Sequence, residues 1–91
     1  MQTDIETDVE VLEETVKTEV RKLVVFNDEV NTFDWVIDTL IKVCDHSHEQ
    51  AEQCTLIIHF KGKCSVKEGE FDSLLPMRNE ICHRGISAEI C

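Results

Sequence analysis

Glycine is scarce in this chain, which argues against a nucleotide-binding enzyme. Its three glycines, Gly62, Gly69 and Gly85, each stand alone. A phosphate-binding loop needs several glycines close together, because its backbone N–H groups must approach the phosphates. The G-x-S-x-G turn of serine hydrolases is also missing. A cysteine–histidine nucleophile pair stays open, because such residues meet in space and not in sequence. We expect no enzyme and assign no catalytic residue.

Positive charge and long apolar runs are also in short supply. Nine Lys and Arg residues stand against nineteen Asp and Glu residues, which gives a net charge of −10. Nucleic-acid phosphates and anionic membranes repel so acidic a chain. No apolar run approaches the roughly 18 residues of a membrane span. Residues 1–10 lack the basic and then apolar order of a signal peptide. We therefore expect a cytoplasmic protein that binds neither nucleic acid nor membrane.

Closely spaced cysteine pairs are missing, although single cysteines are frequent. The five cysteines are Cys44, Cys54, Cys64, Cys82 and Cys91. Their odd number, without a secretory signal, argues against a disulfide framework, and no C-x-x-C zinc motif occurs. We expect buried or half-buried free thiols, with no metal and no cofactor. A small metal-binding or thiol-redox protein is the main alternative, because His46 and His48 closely follow Cys44. Exposed histidines around a helix start are the ordinary explanation of that cluster.

Acidic residues crowd the start of the chain. Seven Asp and Glu residues occur within residues 1–21, where apolar residues are sparse. Like charges disfavour compaction, so we expect an acidic, mobile N-terminal extension over residues 1–21. Residues 22–91 then form the folded part, with the size of one domain around one core.

The first half of the folded part predicts one strand and two helices. Residues 22–26 are mostly β-branched or aromatic and precede a turn-forming Asn-Asp pair, which predicts a strand leading into a polar loop. Apolar residues at helical spacing predict a helix from Phe33 to Cys44. Ser47 with Gln50 fits a capping box, which opens a second helix that ends near Gly62.

The second half predicts a strand, a helix and a strand. Residues 64–66 predict a brief strand, residues 72–84 a helix with Gly85 as its left-handed cap, and residues 86–90 a last strand. Pro76 is tolerated only near a first turn, which leaves the start of this helix open. The order of elements predicts an α+β fold, with a small antiparallel sheet of about three strands packed with three helices.

Two separated motifs resemble the ClpS family. The first runs from Val25 through Asn27-Asp28-Glu29 into Phe33-Asp34-Trp35-Val36-Ile37, and the second is His59-Phe60-Lys61-Gly62-Lys63, preceded by Gln50-Ala51. The family has an N-D-D loop, a helix, and then a helix that ends in H-Y-x-G-K. The resemblance covers roughly residues 22–91.

The resemblance implies a ClpS-like adaptor of the bacterial N-end rule. Such an adaptor binds the N-terminal segment of a substrate protein, usually at a large hydrophobic or aromatic first residue. It docks on the N-terminal domain of a Clp-type AAA+ unfoldase. Carried over by position, Asn27, Glu29 and His59 contact the substrate's α-ammonium, and Asp28 shapes the loop. The residues implied to line the hydrophobic pocket are Asn31, Phe33, Val36, Thr55, Ile58 and Ile86.

The chain departs from the family at four of these positions, one of which is Asn31, since Asn31-Thr32 stands where the family's loop has T-P. Glu29 stands where the family has aspartate, and Phe33 and Thr55 stand where methionine is common. These changes bear on which N-terminal residue is preferred. Taken alone, Asn27 is a turn former and His59 a helix cap. An interaction module unrelated to proteolysis is therefore a third interpretation.

Overall fold

A computed structural model describes residues 19–91 of the chain. The elements in chain order are β1 (Arg21–Phe26), α1 (Phe33–Cys44), α2 (His48–Lys61), β2 (Lys63–Gly69), α3 (Phe71–His83) and β3 (Ala88–Ile90). This order and the three-stranded antiparallel sheet confirm the predicted α+β fold. Residues 1–18 of the predicted extension lie outside the described residues, whereas Arg21, its last residue, belongs to β1.

β1 is the central strand of the sheet, which has the order β2-β1-β3. Its Val25 lies opposite Cys64 of β2 on one side and Ala88 of β3 on the other. Leu23 and Val25 are buried, while Val24 and Phe26 between and after them are only half-buried. The period of two in a strand therefore points one face of β1 into the core. The strand ends at Phe26, directly before the polar loop.

β2 carries a bulge at Val66 that His46 holds in place. Leu23 pairs with Lys67 and Val24 pairs with Ser65, so Val66 has no partner in β1. The Val66 carbonyl accepts a hydrogen bond from Nε2 of His46 at 2.7 Å, and this side chain is only 5% exposed. Because a carbonyl can only accept, Nε2 carries the proton, and Nδ1 is a buried nitrogen without a hydrogen-bond partner within residues 19–91. The prediction of an exposed histidine was wrong for His46.

The ends of α1 and α2 follow from local hydrogen bonds. Thr32 Oγ1 accepts from the Trp35 N–H at the start of α1, and Ser47 Oγ accepts from the Gln50 N–H at the start of α2, both at 3.1 Å. α2 ends at Gly62, whose φ of 95° is the left-handed conformation that glycine adopts without steric cost. The predicted bounds of both helices are confirmed within about one residue.

α3 and β3 differ slightly from their predicted bounds. α3 begins at Phe71, so Pro76 lies in its second turn, where the missing N–H leaves the Asp72 carbonyl without its usual helical partner. β3 begins at Ala88 and not at residue 86, because the Ile86 N–H bonds back to the Ile81 carbonyl as part of the turn that follows α3. The residues between α3 and β3 therefore form an irregular connection.

One hydrophobic cluster unites all three strands and all three helices. Its buried members are Leu23, Val25, Val36, Leu40, Cys44, Ala51, Ile58, Val66, Leu74, Ile81, Ile86 and Ala88. Burial of this apolar surface is the main term that stabilises the fold. Within residues 19–91, no helix has the length and apolar character needed to cross a membrane.

Candidate functional site

A cavity of about 200 Å³ lies where the end of β1, the start of α1, the second half of α2 and the α3–β3 connection meet. Every residue predicted for the site lines this cavity: Asn27, Asp28, Glu29, Asn31, Phe33, Val36, Thr55, Ile58, His59 and Ile86. Pockets for drug-sized ligands measure roughly 300–1,000 Å³. The smaller volume here suits a single amino-acid side chain.

Sequence analysis missed three lining residues, Val25, Phe26 and Thr32. The first two end β1 and were assigned to the sheet alone, and Thr32 is the cap of α1. Their position in the sequence could have indicated them, because Val25 and Phe26 come directly before the polar loop and Thr32 comes directly after it.

The floor of the cavity is apolar. Val36 of α1, Thr55 and Ile58 of α2, and Ile86 of the α3–β3 connection are each less than a tenth exposed. Thr55 is the one polar residue among these four, and its hydroxyl donates to the Ala51 carbonyl at 2.7 Å. That hydrogen is therefore used within α2, which leaves the floor suited to a hydrophobic group.

The rim of the cavity carries hydrogen-bond acceptors. Asn27, Glu29 and His59 are exposed there. The Asn27 N–H donates to the Gly62 carbonyl at 2.9 Å, which holds the loop against the end of α2 that carries His59. The His59 ring also meets the edge of Phe33, with ring centroids 5.6 Å apart. An amide oxygen, a carboxylate and a neutral imidazole nitrogen all accept hydrogen bonds, and the carboxylate adds a negative charge.

Asp28 and Asn31 hold the loop in shape. Asp28 Oδ1 accepts from the backbone N–H groups of Val30 and Asn31 at 3.0 and 3.1 Å, and the Asn31 amide donates to both Asp28 oxygens. Burial alone would raise the pKa of Asp28, yet these backbone and side-chain hydrogen bonds lower it below the ordinary value of 3.8. The Asp28 carboxylate is thus occupied within the loop, as its predicted shaping role requires.

Two of the cysteines, Cys44 and Cys64, are poorly suited to redox chemistry or metal binding. Burial raises the pKa of Cys44 to about 11, despite the opposing charge of Lys67. Burial, followed by the neighbouring Cys54, raises the pKa of Cys64 to about 11. The thiolate is the reactive and metal-binding form, so such pKa values suppress both activities. Four cysteines are buried or half-buried, as predicted, whereas the prediction was wrong for Cys91, which is exposed. In residues 19–91, no three His, Cys, Asp or Glu side chains form a group suited to a metal ion.

Comparisons with known proteins agree with this architecture. The model of the family described as "ATP-dependent Clp protease adaptor protein ClpS" matches residues 16–88. A solved structure of Agrobacterium tumefaciens ClpS2, bound to L-phenylalaninamide, has a similar fold with a TM-score of 0.79. It is 17% identical in sequence, and the match covers 82% of this chain and 98% of that chain. No curated protein sequence matches. Because the family match spans most of its length, this chain belongs to the ClpS family of adaptors of the ATP-dependent Clp protease.

Proposed function

We propose that this adaptor binds the N-terminal residue of substrate proteins, when that residue is large and hydrophobic or aromatic. It then delivers them to a Clp AAA+ unfoldase for degradation. One observation carries the proposal: a rim of acceptors stands directly over an apolar floor in a cavity sized for one side chain. The ligand of the Agrobacterium ClpS2 structure, L-phenylalaninamide, supports it, because that compound combines a free α-amino group with a benzyl side chain.

The acceptors of the rim match an α-ammonium group. An ammonium has three N–H donors and no acceptor, so only acceptors satisfy it. Asn27, Glu29 and His59 supply them in the proposed complex. Hydrogen bonds to a charged group contribute about 1.5–3 kcal/mol each when well formed. An internal residue has no α-ammonium, so this rim distinguishes the N-terminal residue of a protein from its internal residues.

The floor selects the side chain. Burying a Phe or Leu side chain against Val36, Ile58 and Ile86 contributes about 1.5–3 kcal/mol. In this proposal, binding depends on burial of the apolar side chain and on hydrogen bonds to the ammonium, and one small cavity provides both.

The steps that follow substrate binding are carried out by partner proteins. The chain supplies no catalytic group in this proposal, and the N-terminal domain of the unfoldase receives the loaded adaptor in the cytoplasm. The net charge of −10 attracts the cationic substrate terminus over long range.

The test measures binding of labelled peptides that begin with Phe, Leu, Trp, Tyr or Ala, and of the Phe peptide after N-acetylation. We expect acetylation to weaken binding by at least about tenfold, the effect of one charge-assisted hydrogen bond. His59→Ala should weaken binding of the free Phe peptide, while His48→Ala, an exposed position at the start of α2, serves as the matched control. Equal affinities for the free and acetylated peptides would rule out ammonium recognition.

A further inference from the structure

Ile86, one of the apolar residues at the floor of the cavity, comes from an irregular part of the chain, and its side chain is here called a wall of the cavity. Ile86 lies between α3 and β3, where no ladder of strand or helix hydrogen bonds fixes it. Its own N–H bonds to the Ile81 carbonyl at 3.2 Å, and the next fixed point is the Ser87 carbonyl, which accepts from the Phe26 N–H at 3.0 Å. The position of this wall relative to α1 therefore depends on contacts of the residues just before it.

Two side chains, one from the loop before α1 and one from the first turn of α1, bind those residues. The Asn31 side-chain amide donates to the Gly85 carbonyl at 2.9 Å. Trp35 Nε1–H donates to the Arg84 carbonyl at 3.0 Å. The two consecutive carbonyls that precede Ile86 are thus both held by α1 or its preceding loop. Val36, which also lines the cavity, follows Trp35 directly, so one short segment positions both residues.

The Arg84 side chain strengthens this link. Its guanidinium lies 5.2 Å from the centre of the Trp35 ring and donates to Thr39 Oγ1 at 3.3 Å. It also forms ion pairs with Asp38 at 3.5 Å and Glu80 at 3.3 Å. The Arg84 side chain is only 19% exposed. A planar guanidinium can stack on an aromatic ring and donate at its edges at the same time, which a lysine ammonium cannot do.

We propose that Trp35 and Arg84, neither of which lines the cavity, are positioning residues that set its width by holding Ile86 at a fixed distance from Val36. The proposal rests on the proposed function, because the width matters only if the cavity selects a side chain. A fixed wall discriminates between side chains of different size. A loosened wall adapts to each of them and discriminates less.

The test uses the full chain with Trp35→Phe, which keeps an aromatic ring under the guanidinium and removes the indole N–H. Arg84→Lys is a second variant that keeps the charge and removes the stacked plane. Lys42→Met is the matched control, because Lys42 contacts Asp38 of the same network at 3.4 Å but does not touch the connection. Dissociation constants are measured for peptides that begin with Leu, Phe and Trp. In parallel, the ¹³C-labelled methyl groups of Ile86 are followed by NMR without peptide.

We expect the spread of affinities between the best and the worst of these peptides to shrink in Trp35→Phe by roughly 3- to 10-fold, the factor for one neutral hydrogen bond. The Ile86 methyl signals should broaden or shift in both variants and stay unchanged in Lys42→Met. An equal loss of affinity for all peptides with unmoved Ile86 signals would show a merely structural role and overturn the proposal. If the unmodified protein binds none of the peptides, the proposed function fails, and the Ile86 signals alone decide whether these residues position the wall.

Discussion

Phe33 lines the cavity, with its side chain 38% exposed and its ring in a T-shaped arrangement with that of His59. We propose that this flat ring narrows the entrance of the cavity near the Cβ of an incoming residue. We expect Phe33→Ala to admit peptides that begin with the β-branched Ile or Val, while it weakens binding of Phe and Leu peptides by the loss of apolar contact. Binding measurements on these four peptides check this selectivity change.

Phe71→Ala is the control for the entrance residue. Phe71 is similarly exposed, at 44%, but begins α3 and does not line the cavity. We expect that variant to keep the original order of affinities. Equal binding of Ile, Val and Leu peptides by the unmodified protein would contradict the gating role of Phe33.

The lowered pKa of Asp28 predicts that the fold loses stability in acid. A carboxylate whose folded-state pKa lies below its unfolded value stabilises the fold above the unfolded pKa, and this contribution is lost as the pH falls through the folded pKa. The pKa of Asp28 is lowered in this way. We expect Asp28→Asn to reduce the free energy of unfolding at pH 7, and the difference from the unmodified protein to shrink below about pH 4. Urea unfolding at several pH values measures this difference.

Glu29→Gln is the matched control for the charge at Asp28. Glu29 is the neighbouring residue, it is exposed, and no hydrogen bond to its carboxylate occurs within the described residues. The free energy of unfolding of Glu29→Gln should stay close to that of the unmodified protein at every pH measured. A difference at Asp28 that persists unchanged to pH 2 would show that the loop does not depend on the carboxylate charge.

At the scale of elements, helix bounds were easier to predict than strand bounds. The helices have caps and apolar spacing that are local in sequence, as Ser47 and Gly62 show at the two ends of α2. β2 extends beyond its predicted residues 64–66, because an edge strand pairs through its backbone and tolerates the polar side chains of Lys63 and Lys67. Strand pairing is a long-range property, which local patterns do not report.

The candidate site was predicted from the family resemblance and not from residue patterns alone. By periodicity, Val36 and Ile86 are ordinary core residues, and only the spacing of two motifs placed them in one pocket. Their common cavity agrees with that prediction, while their roles in binding stay a prediction. The link between Trp35 and Arg84 could not be predicted, because it depends on how the end of α3 meets α1.

The hydrogen bond from His46 to the bulge of β2 leads to a prediction about stability. In His46→Ala, the Val66 carbonyl loses its partner, and the vacated space adds to the cost. We expect the free energy of unfolding to fall by about 1–3 kcal/mol, the cost of an unpaired buried acceptor. His48→Ala, at an exposed position nearby, should change it by less than about 0.5 kcal/mol. Equal unfolding midpoints for the two variants in urea would show that the bulge does not need the imidazole.

At the scale of the whole molecule, recognition and delivery can be separated. Among the described residues, those that line the cavity lie between Val25 and Ile86, whereas residues 1–18, outside the described residues, hold six of the nineteen acidic side chains. We expect deletion of residues 1–18 to leave peptide affinity unchanged and to slow degradation of a model substrate by the unfoldase. Fluorescence anisotropy and a degradation assay measure the two effects.

A variant with residues 1–18 in scrambled order is the control for this deletion. It keeps the composition and charge of the segment, so it separates the effect of charge from that of a specific sequence. Loss of peptide binding on deletion, or full degradation activity without the segment, would contradict the assigned role.

The central position of β1 has a consequence for the moment at which the protein becomes active during synthesis. Of the strands within residues 19–91, β1 is the first to leave the ribosome, but its two partners arrive only with residues 63–69 and 88–90. Pairing between segments so distant in sequence slows folding, because the loop must close before any contact forms. Ile86 also belongs to this last portion. A nascent chain therefore lacks one wall of its cavity until Ile86 has been synthesised, so under the proposed function an unfinished adaptor does not yet bind the N-terminal residue of a substrate.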